Sequence, residues 1–586
     1  ASFQQAKQVA PFLDLPKYDY HDLLVAYYYR IRSYRKHIQK TADDKYWVVT
    51  EFLPQVPWAG PDNTISAASG HHIVEGRWFW DAPEFLEDYI QFWYLGSSSS
   101  EEQGEAQPHI SRYTNWIYHA TWQYFLLRGL WPGDSLGKSS SSPFATTDIL
   151  IETLQSAADV FRNVYIEKYL TNSSRNALSW NRTHRVCWTQ DDGYDAMEVS
   201  VSGGGCRPTI ASALWGEASA IVNVATFLSN DGSNHGLVNE FQKWANFTRE
   251  IITGQHWNPD IVSFAVIPPW KALKYTRKQS LRNHNQRRPE CSLKDIRIPN
   301  QLVNVRELLA FMPWYYDALI SPEHPLVGMY ATQFTWLLER TGDEGFTAPW
   351  GLRTVQRSTP CYNYSWDHGD CWNGPSWPYE TSRVLTGIAN LLSKHTASTI
   401  LASGMSAEVL ERLLLQFARQ HTVTIAVNDT SHPIGSGHIF ENLHPDLGYW
   451  NNRERMYWKN DTMKNMGDEY NHSTFIDLIF SAWIGIRLSS QVESPGNWLV
   501  LNPLLQASYF AADGIPYRGR VLSIVYDPTG MRYPKISNLK GLAVIVDGHI
   551  VAQRPDLGPL VVADEPKRGA SAAASSFSLS LAMTTT

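Results

Sequence analysis

No stretch of this chain approaches the roughly 18 uninterrupted apolar residues that a membrane span requires. Basic charge is not in excess either. The net charge is −7 and the pI near 6.3, which argues against a nucleic-acid or anionic-membrane surface. Cysteine is scarce: the 586 residues hold five, none with metal-ligand spacing. There is no Walker loop, no G-x-S-x-G elbow and no H-E-x-x-H, and Gly203-Gly204-Gly205 lacks the preceding βαβ unit of a nucleotide fingerprint. No cofactor and no metal are therefore expected. Ala1 opens the chain without a basic segment and apolar h-region, so a signal peptide is expected to have been removed or never to have existed.

What the chain has is aromatic side chains. It carries 24 Trp and 29 Tyr against only 18% charged residues. A large aromatic core would use them, and so would a sugar site, where indole and phenol faces stack on pyranose C–H faces beside polar groups. Asn-x-Ser/Thr sequons at Asn172, Asn181, Asn246, Asn363, Asn428, Asn460 and Asn471 fit a secreted glycoprotein carrying N-glycans. Asn471 is set aside because it lies inside a motif. Cys361 and Cys371 bracket one short loop and Cys187 and Cys206 another. Closing both in an oxidising compartment leaves Cys291 free.

Helical periodicity runs through most of the chain. It predicts helices at about 20–39, from Pro83, over 112–130, from Thr147, from Pro208, and at 234–255, 302–319, 326–341, 378–393, 406–421 and 472–488. Between the first two, Glu51 to Asp81 reads as a long Gly-, Pro-, Trp- and His-rich functional loop. About a dozen helices, joined alternately by short turns and long aromatic loops, predict a mainly α fold, an (α/α)6 barrel over residues 1–490. Near residue 497 the pattern changes. Strands at 498–501, 521–527 and 542–551, with an Asp547-Gly548 hairpin turn, predict a small β module over 491–565. The Ala-, Ser- and Thr-rich tail, 566–586, is expected to be disordered.

Cleaving a glycosidic bond takes two carboxyl groups, an acid for the leaving oxygen and a base or nucleophile opposite. Candidates in polar or aromatic loops fall into three clusters. CWTQDDGYDAMEVSVSGGGCRPT, Cys187 to Thr209, offers Asp191, Asp192, Asp195 and Glu198 beside Trp188, with Arg207 at a helix start that favours an anion. A solvated or calcium-type acidic loop is the competing account. In His438 to Asn452, Glu441 follows Ile439 and Phe440, whose apolar bulk would partly desolvate it, although a capping or salt-bridging Glu reads the same way. Glu469 to Thr474 leads into an apolar helix: Ser473 or Asn471 fits an N-cap, and His472 fits either a structural role or the orienting of a hydroxyl. Finally, WNGPSWP at Trp372 to Pro378 puts two indoles around a Gly-Pro break at the lip of a helix, as a sugar pocket or a packed corner would.

Over about residues 15–490 these pieces together resemble the inverting (α/α)6-barrel glycosidases of glycoside hydrolase families 37 and 63: trehalases, processing α-glucosidases and mannosylglycerate hydrolases. The resemblance rests on EGRWFWD at Glu75 to Asp81, DGYDAMEVS at Asp192 to Ser200, WNGPSWP, ENLHPDLG at Glu441 to Gly448 and YNHSTFIDL at Tyr470 to Leu478. It implies Asp195 as general acid, Glu441 as general base, and a sugar subsite drawn from Trp372, Trp377, Trp78, Arg77, Gly374, Trp188, Arg207, Tyr470 and His472. The implied activity is that of a secreted, exo-acting, inverting hydrolase of an oligosaccharide or small glycoside, with an α-glucoside or α-mannoside favoured. The alternatives are an arabinosidase or rhamnosidase on plant polysaccharide side chains, a polysaccharide lyase, or an inactive carbohydrate-binding protein. The acid loop departs from the family by continuing Ala196-Met197-Glu198, which bears on the substrate more than on the reaction type.

Overall fold

Two kinds of helix build this molecule. An outer helix has one face against protein and one against water, so its apolar residues form a stripe. His235–Gln255 shows this, burying Phe241, Ala245, Thr248, Ile251 and Ile252 and little else. An inner helix has no wet face. Every residue of Ser66–Gly76 is buried. Its small and polar residues carry no stripe, which is why a segment that reads as loop within Glu51 to Asp81 is in fact helical.

A computed structural model describes residues 9–53, 55–96, 105–129, 147–171, 192–229, 232–268, 302–319, 322, 324–338, 343–359, 362, 372–423, 437–451, 469–488 and 497–566. In chain order its helices are α1 His21–Lys36, α2 Ser66–Gly76, α3 Ala82–Leu95, α4 Ile117–Arg128, α5 Asp148–Val160, α6 Pro208–Leu228 and α7 His235–Gln255. There follow α8 Met312–Tyr315, α9 Pro325–Ala331, α10 Pro378–Lys394, α11 Ala397–Ser403, α12 Ala407–Gln420 and α13 Phe475–Asp477, the last widening into a π-helix at Leu478–Trp483. Each of α2, α4, α6, α8 and α10 packs on the next, and α10 meets the π-helix while α13 returns to α2, which closes the inner ring. Around it lie α1, α3, α5, α7, α9 and α12, with α3 packed on α5 and α1 on α12. This is the expected (α/α)6 barrel, with α11 an added short helix against α9. Although α6 is long and apolar enough to cross a membrane, it is an enclosed inner helix of the ring.

Some helices are shorter than their periodicity. The stretch 302–319 is a 3-10 turn, Leu308–Phe311, followed by α8, which ends where Asp317 takes φ +60°. The last inner helix stops at Gly485, φ +89°, where a Cβ would lie 1.9 Å from the Asn502 carbonyl oxygen.

Strand β1, Phe12–Asp14, lies near the N-terminus, and hairpins β2–β3 (Ile38–Lys40, Trp47–Val49), β4–β5 (Trp257–Asn258, Ser263–Phe264) and β6–β7 (Thr347–Ala348, Gly351–Leu352) lie in the barrel connections. The C-terminal strands are β8 Ile486–Arg487, β9 Leu499–Leu501, β10 Phe510–Tyr517, β11 Arg520–Asp527, β12 Gly541–Val546, β13 His549–Arg554 and β14 Leu560–Val562. They form an antiparallel sheet ordered β1-β10-β11-β12-β13 and a smaller one ordered β14-β9-β8. Positive φ at Asp547 and Gly548 makes the expected tight turn, and Arg518-Gly519 makes a second one. The module therefore draws β1 from residues 12–14 and β8 from 486–487, on either side of the barrel sequence. Arg518 fastens it to the C-terminal end of α4 through the Leu127 carbonyl. The tail beyond residue 566 lies outside the described residues, as do Cys187, Cys291, Cys361 and Cys371, so each expected cysteine pairing has at least one partner there.

Inside the ring, Glu217 of α6 is buried and accepts the His119 backbone N–H at 2.9 Å. Burial pushes its carboxyl up to about 8. The native state thus keeps a proton that the unfolded chain, with a value of about 4.3, releases. Stability from this group is fully present below the unfolded value and is lost as pH rises toward 8. Thermal unfolding of wild type and Glu217→Gln between pH 4.5 and 8 should show wild type losing ground by on the order of 1 kcal/mol per pH unit. Parallel curves for the two proteins would contradict this.

Candidate active site

The segments entering the inner helices gather at one rim. They are 51–65 before α2, 110–116 before α4, 192–207 before α6, 303–311 before α8, 372–377 before α10 and 469–474 before α13. Helix starts leave backbone N–H groups unpaired and carry partial positive charge, a suitable frame for carboxylates. Three of these starts carry proline in the first turn, Pro208 after Arg207, Pro313 after Met312 and Pro378 after Trp377.

Asp195 closes a 3-10 turn, Asp192–Asp195, and is 4% exposed. Arg207 Nε donates to its Oδ2 at 2.8 Å, and the Thr209 hydroxyl donates to the same oxygen. Arg207 is fully buried and also donates to Ser200 Oγ at 3.0 Å and the Gly203 carbonyl at 2.8 Å. Burial works against its charge, but Asp195, Glu307 and Asp192 outweigh it and raise its pKa. Asp192 accepts the Ser200 N–H and hydroxyl, both at 2.9 Å, and Glu307 accepts the Ser202 N–H at 3.1 Å. Beyond Asp195 the loop passes through left-handed backbone at Ala196, φ +53°, and Val199, φ +61°. For a β-branched residue that conformation is an outlier. Between them the exposed Glu198 accepts the Trp372 N–H on its carbonyl, at 3.1 Å.

Glu441 is half-buried at the head of its turn. Two residues on, Leu443 exchanges backbone hydrogen bonds with Ser376, 2.9 and 2.8 Å long. The Pro445 carbonyl accepts the Trp350 N–H at 2.8 Å, and Arg353 donates to Asp446 at 2.7 Å. Gly448 has φ +78°, and a Cβ there would fall 2.3 Å from the Trp350 indole. The turn needs its glycine for both reasons.

Trp372 and Trp377 stack on each other, centroids 4.3 Å apart and planes at 16°. Gly374 between them donates its N–H to Thr354 Oγ1 at 3.0 Å. Trp372 meets Tyr379 edge-on and Trp377 meets Tyr470 edge-on, while the Tyr470 and His472 rings lie 4.2 Å apart. These phenols report both carboxylate loops. Burial raises Tyr379, with Asp195 and Glu198 adding to it; burial also raises Tyr470, with Glu441 and Glu51 adding. Asp195, Glu441, Trp372, Trp377, Gly374, Arg207, Tyr470 and His472 are thus brought together at the rim.

Arg77 and Trp78 sit elsewhere. Both are buried inside the ring and donate to Asp477 Oδ1, Arg77 at 2.5 Å and Trp78 at 2.9 Å, holding α2 to α13. Trp188 and Asp191 lie outside the described residues. Sequence reasoning passed over several residues of the site. Glu380 and Arg383 form a buried ion pair on α10, with the guanidinium 4.3 Å above the Tyr379 ring. Glu51 is 4% exposed, with Oε2 accepting Trp58 Nε1–H at 3.1 Å and Oε1 lying 3.3 Å from His472 Nε2. On inner helices no stripe marks such residues, and Glu51 precedes an apparently irregular loop.

No curated protein sequence matches the chain. A solved structure named Sialidase superposes with a TM-score of 0.72 at 23% identity, covering 95% of this chain but 42% of that one. The chain thus spans less than half the length of that protein, and the likeness is one of fold. The mannosylglycerate hydrolase of Thermus thermophilus, in complex with glucose, gives a TM-score of 0.43 at 11% identity over 78% of this chain and 100% of that one. A rhamnosidase of Bacillus sp. GL1 gives 0.45 at 9% over 89% and 41%. Residues 61–473 match the Mannosylglycerate hydrolase MGH1-like glycoside hydrolase domain, and the chain belongs to that family of glycoside hydrolases.

Proposed function

We propose that this glycoside hydrolase is a secreted, exo-acting, inverting enzyme in which Asp195 protonates the glycosidic oxygen and Glu441 deprotonates the attacking water. One observation carries the assignment. The Trp372–Trp377 turn is bonded to the Asp195 loop through Glu198 and to the Glu441 loop through Leu443, so both carboxyl groups are referenced to one aromatic wall. The acid must hold a proton. Four carboxyl groups, Asp192, Asp195, Glu307 and Glu380, surround only two guanidiniums, Arg207 and Arg383. Burial raises the carboxyls of Glu307 and Glu380. Arg207 and Thr209 occupy Oδ2 of Asp195, which leaves Oδ1 as the oxygen to face the scissile bond.

Single displacement with inversion requires carboxyl groups about 6.5–9.5 Å apart with water between them. The substrate is an oligosaccharide or small glycoside, with an α-mannoside or α-glucoside first in order. N-glycosylation is proposed at Asn246, which is exposed on α7, and not at Asn471, which is 1% exposed and whose side-chain oxygen accepts from Arg30 at 3.1 Å.

A broad glycan screen followed by proton NMR of the first-formed anomer tests the mechanism: inversion is expected, and a retained configuration defeats it. Glu441→Gln should lower kcat by roughly 10²–10⁴-fold while substrate still binds, and unchanged turnover would remove Glu441 from the site. Arg207→Met should destabilise the fold by about 3–5 kcal/mol in denaturant unfolding, because Asp195 and Glu307 then lose a buried partner. A change below about 1 kcal/mol would show the pair to be solvated.

A further inference from the structure

We propose that the groove between the start of α1 and the outer side of α12 is a second carbohydrate site, which holds a neutral glycan against Tyr18. Tyr18, Asp19, Asp22, Pro349, Gln416 and Arg419 line it, and it encloses about 350 Å³. None of them belongs to the candidate active site. The volume lies at the lower end of the roughly 300–1,000 Å³ of small-ligand sites and suits the end of a glycan.

The edges of the groove are fixed before a ligand arrives. Tyr20 is buried and pins the start of α1 to α12: its hydroxyl donates to Glu411 Oε1 at 3.0 Å, and its ring meets Trp483 at 5.3 Å. Just ahead of it, Lys17, Tyr18 and Asp19 form an exposed turn, and the Tyr18 side chain is fully exposed, so its ring offers an open face. On the opposite wall Gln416 Nε2 donates to the Ala348 carbonyl at 2.7 Å, which turns its amide oxygen into the remaining acceptor. The Arg419 guanidinium lies 4.1 Å above the Trp350 ring, which pre-orients its donors.

This lining selects its ligand. A pyranose needs an aromatic face for its C–H groups and a few planar polar groups for its hydroxyls, and the groove supplies both. Two carboxylates against one guanidinium disfavour an anionic chain. Among the described residues no three His, Cys, Asp or Glu side chains are placed to hold a metal ion, so Asp19, His21 and Asp22 do not make a cation site. Pro349 and the half-buried Leu415 offer too little apolar surface to seat an amphipathic helix. Binding in the groove does not depend on which carboxyl groups cleave the bond.

Affinity electrophoresis of the full chain through gels containing mannan, starch, arabinan or polygalacturonate tests the proposal. At least one of the three neutral polysaccharides should retard the wild type, and polygalacturonate should not. Tyr18→Ala removes a side chain that the fold does not pack, and should weaken the retarding affinity about tenfold. Asp22→Asn should weaken it severalfold. Both variants should keep turnover of a small cleaved glycoside within about twofold of wild type. Retardation by polygalacturonate alone or by no polysaccharide, equal retardation of all three proteins, or loss of small-glycoside turnover in Tyr18→Ala overturns the proposal. Failure of the glycosidase reading would appear separately, as a chain that cleaves no glycan and is still retarded through Tyr18.

Discussion

The turn from Trp372 to Trp377 is bonded on one side to the loop carrying Asp195 and on the other to the loop carrying Glu441, and it begins α10. Each of those loops is long and irregular, and neither could hold a carboxyl group to a fraction of an ångström unaided. The stacked indoles between them form a rigid block with few soft torsions. Gly374 is anchored by Thr354, and Ser376 by both the Leu443 backbone and the Gln420 amide at 3.1 Å. Loosening this block would move Asp195 and Glu441 relative to each other, and in the proposed mechanism that kind of misplacement costs orders of magnitude in rate. Because the indoles stack on each other and also meet Tyr379 and Tyr470, much of their surface serves that rigidity.

Buried charge raises a second constraint. Placing Arg207, Arg383, Asp195, Glu307 and Glu380 away from water is expensive unless each is matched by a partner of good geometry. A well-packed apolar core of the same volume would serve stability as well or better. Buried charge also occurs inside the ring, at Arg77, Asp477 and Glu217, so it is the gathering of these five at the rim, more than their burial, that points to chemistry. The β module fits the same division of labour. Arg518 binds it to the C-terminal end of α4, away from the rim, so the sheet reinforces the barrel without covering its mouth.

Much of this was legible from the residues alone, for identifiable reasons. Outer helices such as α7 and α12 bury a stripe and leave a wet face, so their spacing shows directly. Pro208 and Pro378 announce the helix starts they make. The Asp547-Gly548 turn is written in its dipeptide. Helix α2 was hidden because a helix enclosed on all sides has no reason to alternate. Strand β10 was hidden because Gly514 and Pro516 lie within it. A bulge at 513–514 absorbs the glycine, and β1 pairs only with 511–513, so the missing N–H of Pro516 interrupts no ladder there. Arg77 and Trp78 occur in a motif that matches the family, yet they lock α2 to Asp477 inside the ring. A motif identifies residues that the fold needs, and only geometry separates those that hold the barrel from those that face a ligand.

The backbone itself marks where the fold accepts local cost. Among the described residues with left-handed backbone that are not glycine, Ala196, Val199 and Glu469 fall within the loops that carry Asp195 and Tyr470. Each such conformation costs on the order of 1–3 kcal/mol and persists only where the surroundings over-determine it. Around Ala196 and Val199 those surroundings are specific. Arg207 holds the turn from below, Ser200 is bonded to Asp192, and the Glu198 carbonyl is bonded to Trp372. Around Glu469 they are Lys36, paired with its carboxylate, and the Ile439 carbonyl, which accepts the Tyr470 N–H. In both loops the strain is sustained by contacts that also set the position of a site residue. A sequence relaxed by glycine at 196 or 199 would relieve the backbone and, by the same step, loosen the loop that carries Asp195.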